Sequence, residues 1–517
     1  MLKRHLKRIL ALAFTLSFYR VATSIFKPNA NVIIKKIKNF EEVCQEVFTE
    51  FFNESAKLVY IGRFDGIKHS FVCSEKTMFF NHLADSKKNF FYKYRSKYSR
   101  FNVLNYLLLR FFNVSGYVDI YKNYYNSAGV LIFSSEVGLR VEVPSEDSGV
   151  YTIYSHNPVA KLIDCAIERK VAFELYGSIV FSYERFFMYM NSNQLMAEKV
   201  DLVYTWVDGF DKNWELKKNS HSNAVIANEL HASSLAENRF KHLDELLYSI
   251  RSVYMYTNFV RKIYIVTDQQ IPEWLIENSE VVIVDHTEIF PDSSVLPSFN
   301  SHAIESCLHN IKNISDCFLY LNDDILFSRA VALEHFFTSD MFPKINYSNT
   351  AYIPAGEASC LDLPVDSAAK NARFFFKNNY DVWITRKFKH TPCPVNKEML
   401  KELEKEMRLS LDITRGNRFR SHDDISLVSC AYYHWARLNN KYEKGEISYS
   451  YFNVNSMRDA IRLKVYLLSA PKYRWSTYCL NDVDGKQNNE SRLKIKQILN
   501  KHYLYPSVVE RSVFYDL

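Results

Sequence analysis

The sequence has few of the residues that break a chain into tethers and tails: 12 Gly and 13 Pro in 517 residues. It holds no repeat, low-complexity run or Ser-rich linker, which excludes flexible-array architectures. Its nine cysteines, Cys44, Cys73, Cys165, Cys307, Cys317, Cys360, Cys393, Cys430 and Cys479, form no Cys-x-x-Cys pair and are odd in number. That argues against a zinc site and a disulfide framework, and for a reducing compartment. A spanning segment is missing too. The apolar run from Ile9 to Tyr19 has eleven residues, about 16 Å of helix against a hydrocarbon core of about 30 Å.

Acid is absent before Glu41, whereas nine bases precede it: Lys3, Arg4, Lys7, Arg8, Arg20, Lys27, Lys35, Lys36 and Lys38. Subtracting those nine from the net charge of +7 leaves −2 for the rest of the chain. The basicity therefore belongs to the leader, which points to an anionic membrane surface and away from nucleic acid. Residues 1–39 are expected to form a basic amphipathic leader lying on the inner face of the cell membrane, with the protein cytoplasmic and peripheral. A signal peptide ending near Ser24 is the competing reading.

What is present is hydrophobic (47%) and aromatic (15%), so the body is globular and long enough for two or more domains. Residues 40–195 alternate short aromatic-rich runs with polar turns and read as an α+β accessory domain without a catalytic constellation. Within it Ser99 to Phe112 reads as an apolar helix of the core, bracketed by Arg100 and Arg110. Residues 196–517 read differently. Leu202 to Val207 is a buried strand that stops at Asp208-Gly209, with Asp211 just beyond. An Asp-Gly after a strand is most simply a turn, but the pattern recurs. Lys262 to Val266 runs into Asp268, Val281 to Val284 into Asp285, and Cys317 to Leu321 into Asn322-Asp323-Asp324. Four strands thus deliver carboxylates to one edge, where open α/β sheets bind ligands.

Leu243, Leu246, Leu247, Ile250 and Val253 recur at helical spacing, which completes a β-α-β unit of a doubly wound, mostly parallel, GT-A/Rossmann-like sheet. Further helices are expected over Ile271 to Asn278, after Ser301, over Ala330 to Phe337 and over Asn396 to Met407, with an irregular loop from Met341 to Val382. Ser301 stands where it caps its helix or, at that amino terminus, helps hold a diphosphate. Ser421 to Asp424 has the form of a capping box, which gives Asp423 and Asp424 a structural reading.

The stretches "DLVYTWVDGFD", "LPSFNSHAIESCLHNI" and "FLYLNDDILFS" resemble the first two conserved regions of the Stealth family of sugar-phosphate transferases. "KHTPCPVNKEML", "RFRSHDDISL" and "YCLNDVDG" are similar to its third and fourth. The resemblance implies a metal-dependent phosphotransferase of capsular or surface polysaccharide synthesis, with a nucleotide-sugar donor and an oligosaccharide or polysaccharide acceptor. It implies Mg²⁺ or Mn²⁺ at Asp323, Asp324 and Asp482, hard oxygen ligands suited to a pyrophosphate. His390, stiffened by Pro392 and Pro394, is the implied general base, with Asp208 the alternative, and Arg420 the group that neutralises phosphate charge. Trp206, Asn300, Ser301, His302 and Arg418 are the implied substrate contacts. Two rivals stand beside this reading: a GT-A-like glycosyltransferase that releases a nucleoside diphosphate, and a non-catalytic carbohydrate-binding protein.

Overall fold

The computed structural model describes residues 30–511 apart from 53–56, 64–66, 87–88, 100, 149, 154–161, 165–168, 185, 187–198, 223–239, 241 and 483–487. The leader, and the choice between surface helix and signal peptide, lies outside the described residues. No described helix is long and apolar enough to cross a membrane. Contacts gather residues 1–194 with 468–474 into one compact unit and 195–467 with 475–517 into another.

The first unit is built on α1 (Phe40–Phe51), β1 (Leu58–Gly62), β2 (His69–Cys73), α2 (Lys76–Ser86), β3 (Phe91–Ser96), α3 (Asn102–Phe111), β4 (Gly116–Tyr121), β5 (Leu139–Val143), β6 (Lys170–Leu175) and β7 (Ser178–Tyr183). These seven strands form one mixed sheet in the order β6-β7-β1-β2-β5-β4-β3, beside two small three-stranded sheets. Asn39 caps α1, and Val47, Phe48 and Phe51 on its inner face pack with Phe71, Val118 and Val141 of the sheet. The helix α3, expected in the core, is a surface helix. It buries only Asn105 and Leu109, while Phe101, Phe111 and Phe112 are 63%, 65% and 58% exposed. The inner face is held by polar contacts rather than by apolar bulk, since Asn105 donates to the Tyr94 and Ser99 carbonyls.

The second unit runs through β8 (Val200–Thr205), α4 (Glu245–Tyr256), β9 (Val260–Thr267), β10 (Val281–Asp285), α5 (Ser301–Glu305), β11 (Cys317–Asn322) and β12 (Ile325–Phe327). It continues with α6 (Pro364–Tyr380), β13 (Cys393–Asn396), α7 (Lys397–Glu406), α8 (Tyr432–Leu438), β14 (Tyr449–Asn453), β15 (Thr477–Asn481) and α9 (Asn489–His502). The main sheet has the order β10-β9-β8-β11-β13; the first four strands are parallel and β13 is antiparallel to β11. The four acid-tipped strands are therefore neighbours, as their shared pattern predicts. Strand order reverses between β8 and β11, the switch point at which such sheets open a crevice for ligands. A smaller sheet, β12-β15-β14, continues from β11. Asp201, fully buried at the start of β8, is tolerated because Arg261 meets both its oxygens at 2.9 and 2.6 Å and Ser315 donates its backbone N–H at 2.7 Å.

Several expected elements differ. Ile271 to Asn278 is not helical: Leu275 bridges to Glu510 and Ile276 N donates to Val509 O, so the carboxyl-terminal segment takes the backbone groups a helix would use. Ala330 to Phe337 makes only a short 3-10 turn, Leu333–His335. The expected loop from Met341 to Val382 contains a strand, Tyr347–Tyr352, and the 17-residue α6. Pro364 opens α6, and Ala368, Ala369, Ala372 and Phe376 bury its inner face, a small-residue stripe in place of the usual Leu and Ile. The helix after Ser421 to Asp424 begins later, as a π-turn at Leu427–Ala431 leading into α8.

Arg251 of α4 anchors the carboxyl-terminal segment. Its guanidinium meets Glu510 at 2.9 and 2.6 Å and donates to the Tyr503 carbonyl at 2.7 Å, all out of water. Glu510→Ala leaves a buried unpaired cation and should cost about 3–5 kcal/mol, measured by urea unfolding. The double variant Arg251→Met/Glu510→Leu should recover most of the loss, and equal losses in single and double variants would refute this account.

Candidate active site

The turn after β8 is fixed by backbone contact. Gly209 N donates to Phe240 O at 2.9 Å, and a Cβ on residue 209 would stand 2.1 Å from that oxygen, so only glycine fits. Gln270, at the end of β9, locks the turn from the other side: it accepts from Asp208 N at 2.9 Å and donates to Asp208 O and Asp211 Oδ2 at 3.0 Å. Asp208 Oδ1 accepts from Phe210 N at 2.8 Å and faces His242 Nε2 at 3.3 Å, with a third of the side chain open to solvent. Burial alone would lower the His242 pKa, but the hydrogen bond to Asp244 and the charges of Glu245, Asp244 and Asp208 raise it to about 9. Trp206 is buried, its ring 6.0 Å from that of His242, so it floors this turn instead of standing free as a platform.

Beyond β11 three chain segments meet on Asp324. Tyr320 pairs with Cys393 in the antiparallel β11·β13 ladder, which carries the preceding loop, and His390 with it, to the level of the acidic turn. His390 Nε2 lies 3.5 Å from Asp324 Oδ1 and 3.5 Å from Asn322 Nδ2. Ile325 pairs with Cys479 in β15, so Leu480 N donates to Asp324 O at 2.9 Å while Cys479 Sγ and Asn481 Nδ2 reach Asp324 Oδ2 at 3.1 and 3.3 Å. Burial and the adjacent Asp324 charge push the Cys479 thiol well above its ordinary pKa, so it serves as a hydrogen-bond donor. Burial would lower the His390 pKa, but Asp324 overrides it and raises the imidazole above its usual value.

Asp323 faces other groups. Burial, with the charges of Asp324 and Glu245, pushes its carboxyl up to about 8, against the opposing charge of His242. Asp482 is turned to Arg492, 3.6 Å away. The expected metal trio of Asp323, Asp324 and Asp482 is thus not one cluster. The side chains that converge are Asp324, His390 and Cys479, whose donor atoms lie within 4.8 Å of one another. Asp324 Oδ1 is buried and faces the His390 imidazole at 3.5 Å, the outer limit of a hydrogen bond, which leaves it a lone pair for a cation. Of these donors only the Asp324 oxygen suits a hard ion such as Mg²⁺, whereas an imidazole and a thiol are ligands of softer metals.

Arg420 lies on the same side of the sheet, close enough for its charge to be felt at His390. Its Nε donates to Ser301 Oγ at 2.9 Å and a second nitrogen contacts the same oxygen. No carboxylate among the described residues is in ion-pair contact with it. Ser301 is the first residue of α5 and not its cap; Asn300 caps the helix through His302 N. Asn300 and His302, expected to touch substrate, are buried structural groups. Asn300 donates to Asn417 O and to Asp424 Oδ2, and His302 Nδ1 lies 3.3 Å from the same carboxylate oxygen. Asp424, fully buried, also receives Ser421 N and Asn417 Nδ2, so it knots the loop ahead of α8 to the start of α5. Arg418 points to the Ser294 and Leu296 carbonyls and away from the acidic turn.

Sequence reasoning missed Cys479, Asn481 and His242. Cys479 and Asn481 sit inside a motif that was read for its Asp alone, and His242 comes from a loop with no pattern of its own.

The chain is similar in sequence to known proteins. Residues 239–345 match the Stealth protein conserved region 2 and residues 389–437 the conserved region 3. An exopolysaccharide phosphotransferase of Streptomyces coelicolor is 35% identical over 316 residues, 60% of this chain and 52% of that protein. The exopolysaccharide phosphotransferase CpsY of Mycobacterium tuberculosis is 32% identical over 318 residues, 60% of this chain and 58% of that one. The chain thus spans a little over half the length of these curated relatives. Among solved structures, the glycosyltransferase GlyE of Streptococcus pneumoniae TIGR4 aligns over 60% of this chain and 66% of its own at 13% identity, with a TM-score of 0.28, too loose to carry an argument.

The raised pKa of His242 gives a test independent of substrate. An imidazolium held to about pH 9 in the fold, against 6.5 when unfolded, contributes stability that is complete below pH 6.5 and lost as pH rises through 9. The contribution is at most about 3 kcal/mol. Thermal melts across that window should fall for the natural protein and flatten for His242→Gln; parallel profiles would remove the charge from His242.

Proposed function

We propose that this chain, which matches conserved regions 2 and 3 of the Stealth protein family, is a member of that family and transfers a sugar 1-phosphate from a nucleotide sugar to an acceptor sugar hydroxyl in polysaccharide synthesis. The observation that carries this reading is Arg420: a half-buried guanidinium, oriented by Ser301, whose charge reaches His390 and which has no carboxylate within ion-pair distance among the described residues. Such a cation is poised for an anion, and a diphosphate in the crevice between β8 and β11 supplies one.

His390 takes the proton of the attacking hydroxyl. Asp324 beside it orients the ring and stabilises the imidazolium that forms, the service a carboxylate gives a histidine base elsewhere. The hydroxyl oxygen bonds to the phosphorus that carries the sugar, and the pyrophosphate P–O bond to the nucleotide breaks. Sugar phosphodiester and nucleoside monophosphate are the products. Arg420 stabilises charge on the phosphoryl oxygens as the bond order shifts. Asp324, through Oδ1, would hold Mg²⁺ or Mn²⁺ with the donor diphosphate; the ion would supply Lewis-acid stabilisation of the phosphates. Asp208, a third open to solvent and steadied by Gln270 and His242, lines the opposite wall and binds sugar hydroxyls.

His390→Ala should lose about two to four decades of kcat with donor binding nearly unchanged. Asp324→Asn should abolish turnover and the response to added Mg²⁺ while the melting temperature holds. Phosphorus NMR of the reaction should show a diester resonance growing in step with nucleoside monophosphate. Release of nucleoside diphosphate with a phosphorus-free product would replace this reading with glycosyl transfer, and near-normal turnover in His390→Ala would move the base to Asp208.

A further inference from the structure

We propose that α3 and the turn before it form a docking face for an anionic lipid surface, separate from the leader and independent of the transferase chemistry. Between Asp85 and Asp119 the sequence holds seven bases and no acid. Into that stretch the fold sets a helix whose buried side is only Asn105 and Leu109. Flanking that side, Phe101, Leu104, Leu108 and Phe111 follow one another at spacings of three and four, one stripe of the helix, with Leu104 and Leu108 half-buried. Phe101 and Phe111, with Phe112 after them, are more than half exposed.

The bases frame the stripe. Arg95 and Lys97 are exposed at its amino-terminal end, where the Lys97 ammonium stands 5.1 Å from the Tyr98 ring. At the other end the Arg110 guanidinium lies 5.3 Å from the Phe111 ring and 5.7 Å from that of Tyr106. An apolar stripe with cations at both ends suits a helix lying in a headgroup layer, with the rings among acyl chains and the bases at the phosphates. Ten residues make about 15 Å of helix, enough to lie in such a surface and too little to cross it.

Other occupants fit less well. A second copy meeting this face about a two-fold axis would set like charges against each other. A polyanionic glycan would satisfy the bases and the rings but leave Leu104 and Leu108 in water, and the one exposed amide of the helix, Asn102, is spent on Tyr92 O and Tyr94 N.

The test is hydrogen exchange on the full chain, with vesicles of phosphatidylcholine alone or with about 30% phosphatidylglycerol. Amides of residues 101–112 should slow by about threefold or more with the anionic vesicles only, and the slowing should fade with salt. The variant Phe101→Ser/Phe111→Ser/Phe112→Ser should lose that protection and lower vesicle partitioning by about tenfold; because the three rings are exposed, its melting temperature should hold. Arg95→Glu/Lys97→Glu should weaken the same protection. The proposal fails if the chain sediments with vesicles while these amides exchange unchanged, if dextran sulfate protects them equally without lipid, or if rising protein concentration alone protects them.

Discussion

The candidate site depends on β11 being paired on its two sides in opposite senses. On one side it runs parallel to β8, with Thr205 beside Asn322, so the Asp208 turn and the Asp323-Asp324 turn end level across the sheet's switch point. On the other it runs antiparallel to β13, which returns the chain so that His390 arrives at the same level from the other direction. A one-residue slip in either ladder would turn alternate side chains to the wrong face and part His390 from Asp324. Arg420 is brought to this line by a loop, and Cys479, in β15, by its pairing with Ile325.

Concentrating acids there has a cost that the fold offsets elsewhere. Asp323, Asp324 and Glu245 repel one another in a poorly solvated space, which is why the Asp323 carboxyl holds its proton to about pH 8. Against that stand buried charges whose geometry is complete: Asp201 with Arg261 at the start of β8, and Arg251 with Glu510 at the carboxyl terminus. Asp424 does similar work with neutral groups, collecting Asn300, Asn417 and a backbone N–H in one fully buried carboxylate. Rigid surroundings of this kind let a site keep like charges close.

How much of this could be read from the sequence follows the range of the interactions. The strands β8 to β11 and helix α4 were legible because apolar runs and 3.6-residue spacing are local signals that tertiary contacts reinforced. Asp324, His390 and Arg420 were singled out through family motifs, and the structure adds that the first two lie 3.5 Å apart. What was not legible is non-local. Ile271 to Asn278 looks helical by its proline, yet the tail around Val509 claims its backbone. Ser421 to Asp424 has a capping pattern, yet Asp424 turns inward to Asn300, more than a hundred residues away in sequence. Asp323 and Asp324 are adjacent in the chain and face different partners, a division that spacing cannot show. The apolar letters of α3 suggested burial, but hydrophobicity marks what leaves water, not which surface it leaves water for.

Pro394 links two otherwise unrelated properties of the main sheet. It stiffens the loop that carries His390, and it sits in β13, the outermost strand, paired with Leu319 on the inner side. A proline has no N–H to offer a further strand, and β13 is only four residues long. The sheet edge nearest the chemistry is thereby closed to strand addition, so two chains at high local concentration cannot zip together along it. A residue close in sequence to the candidate base thus also guards this edge against misassembly.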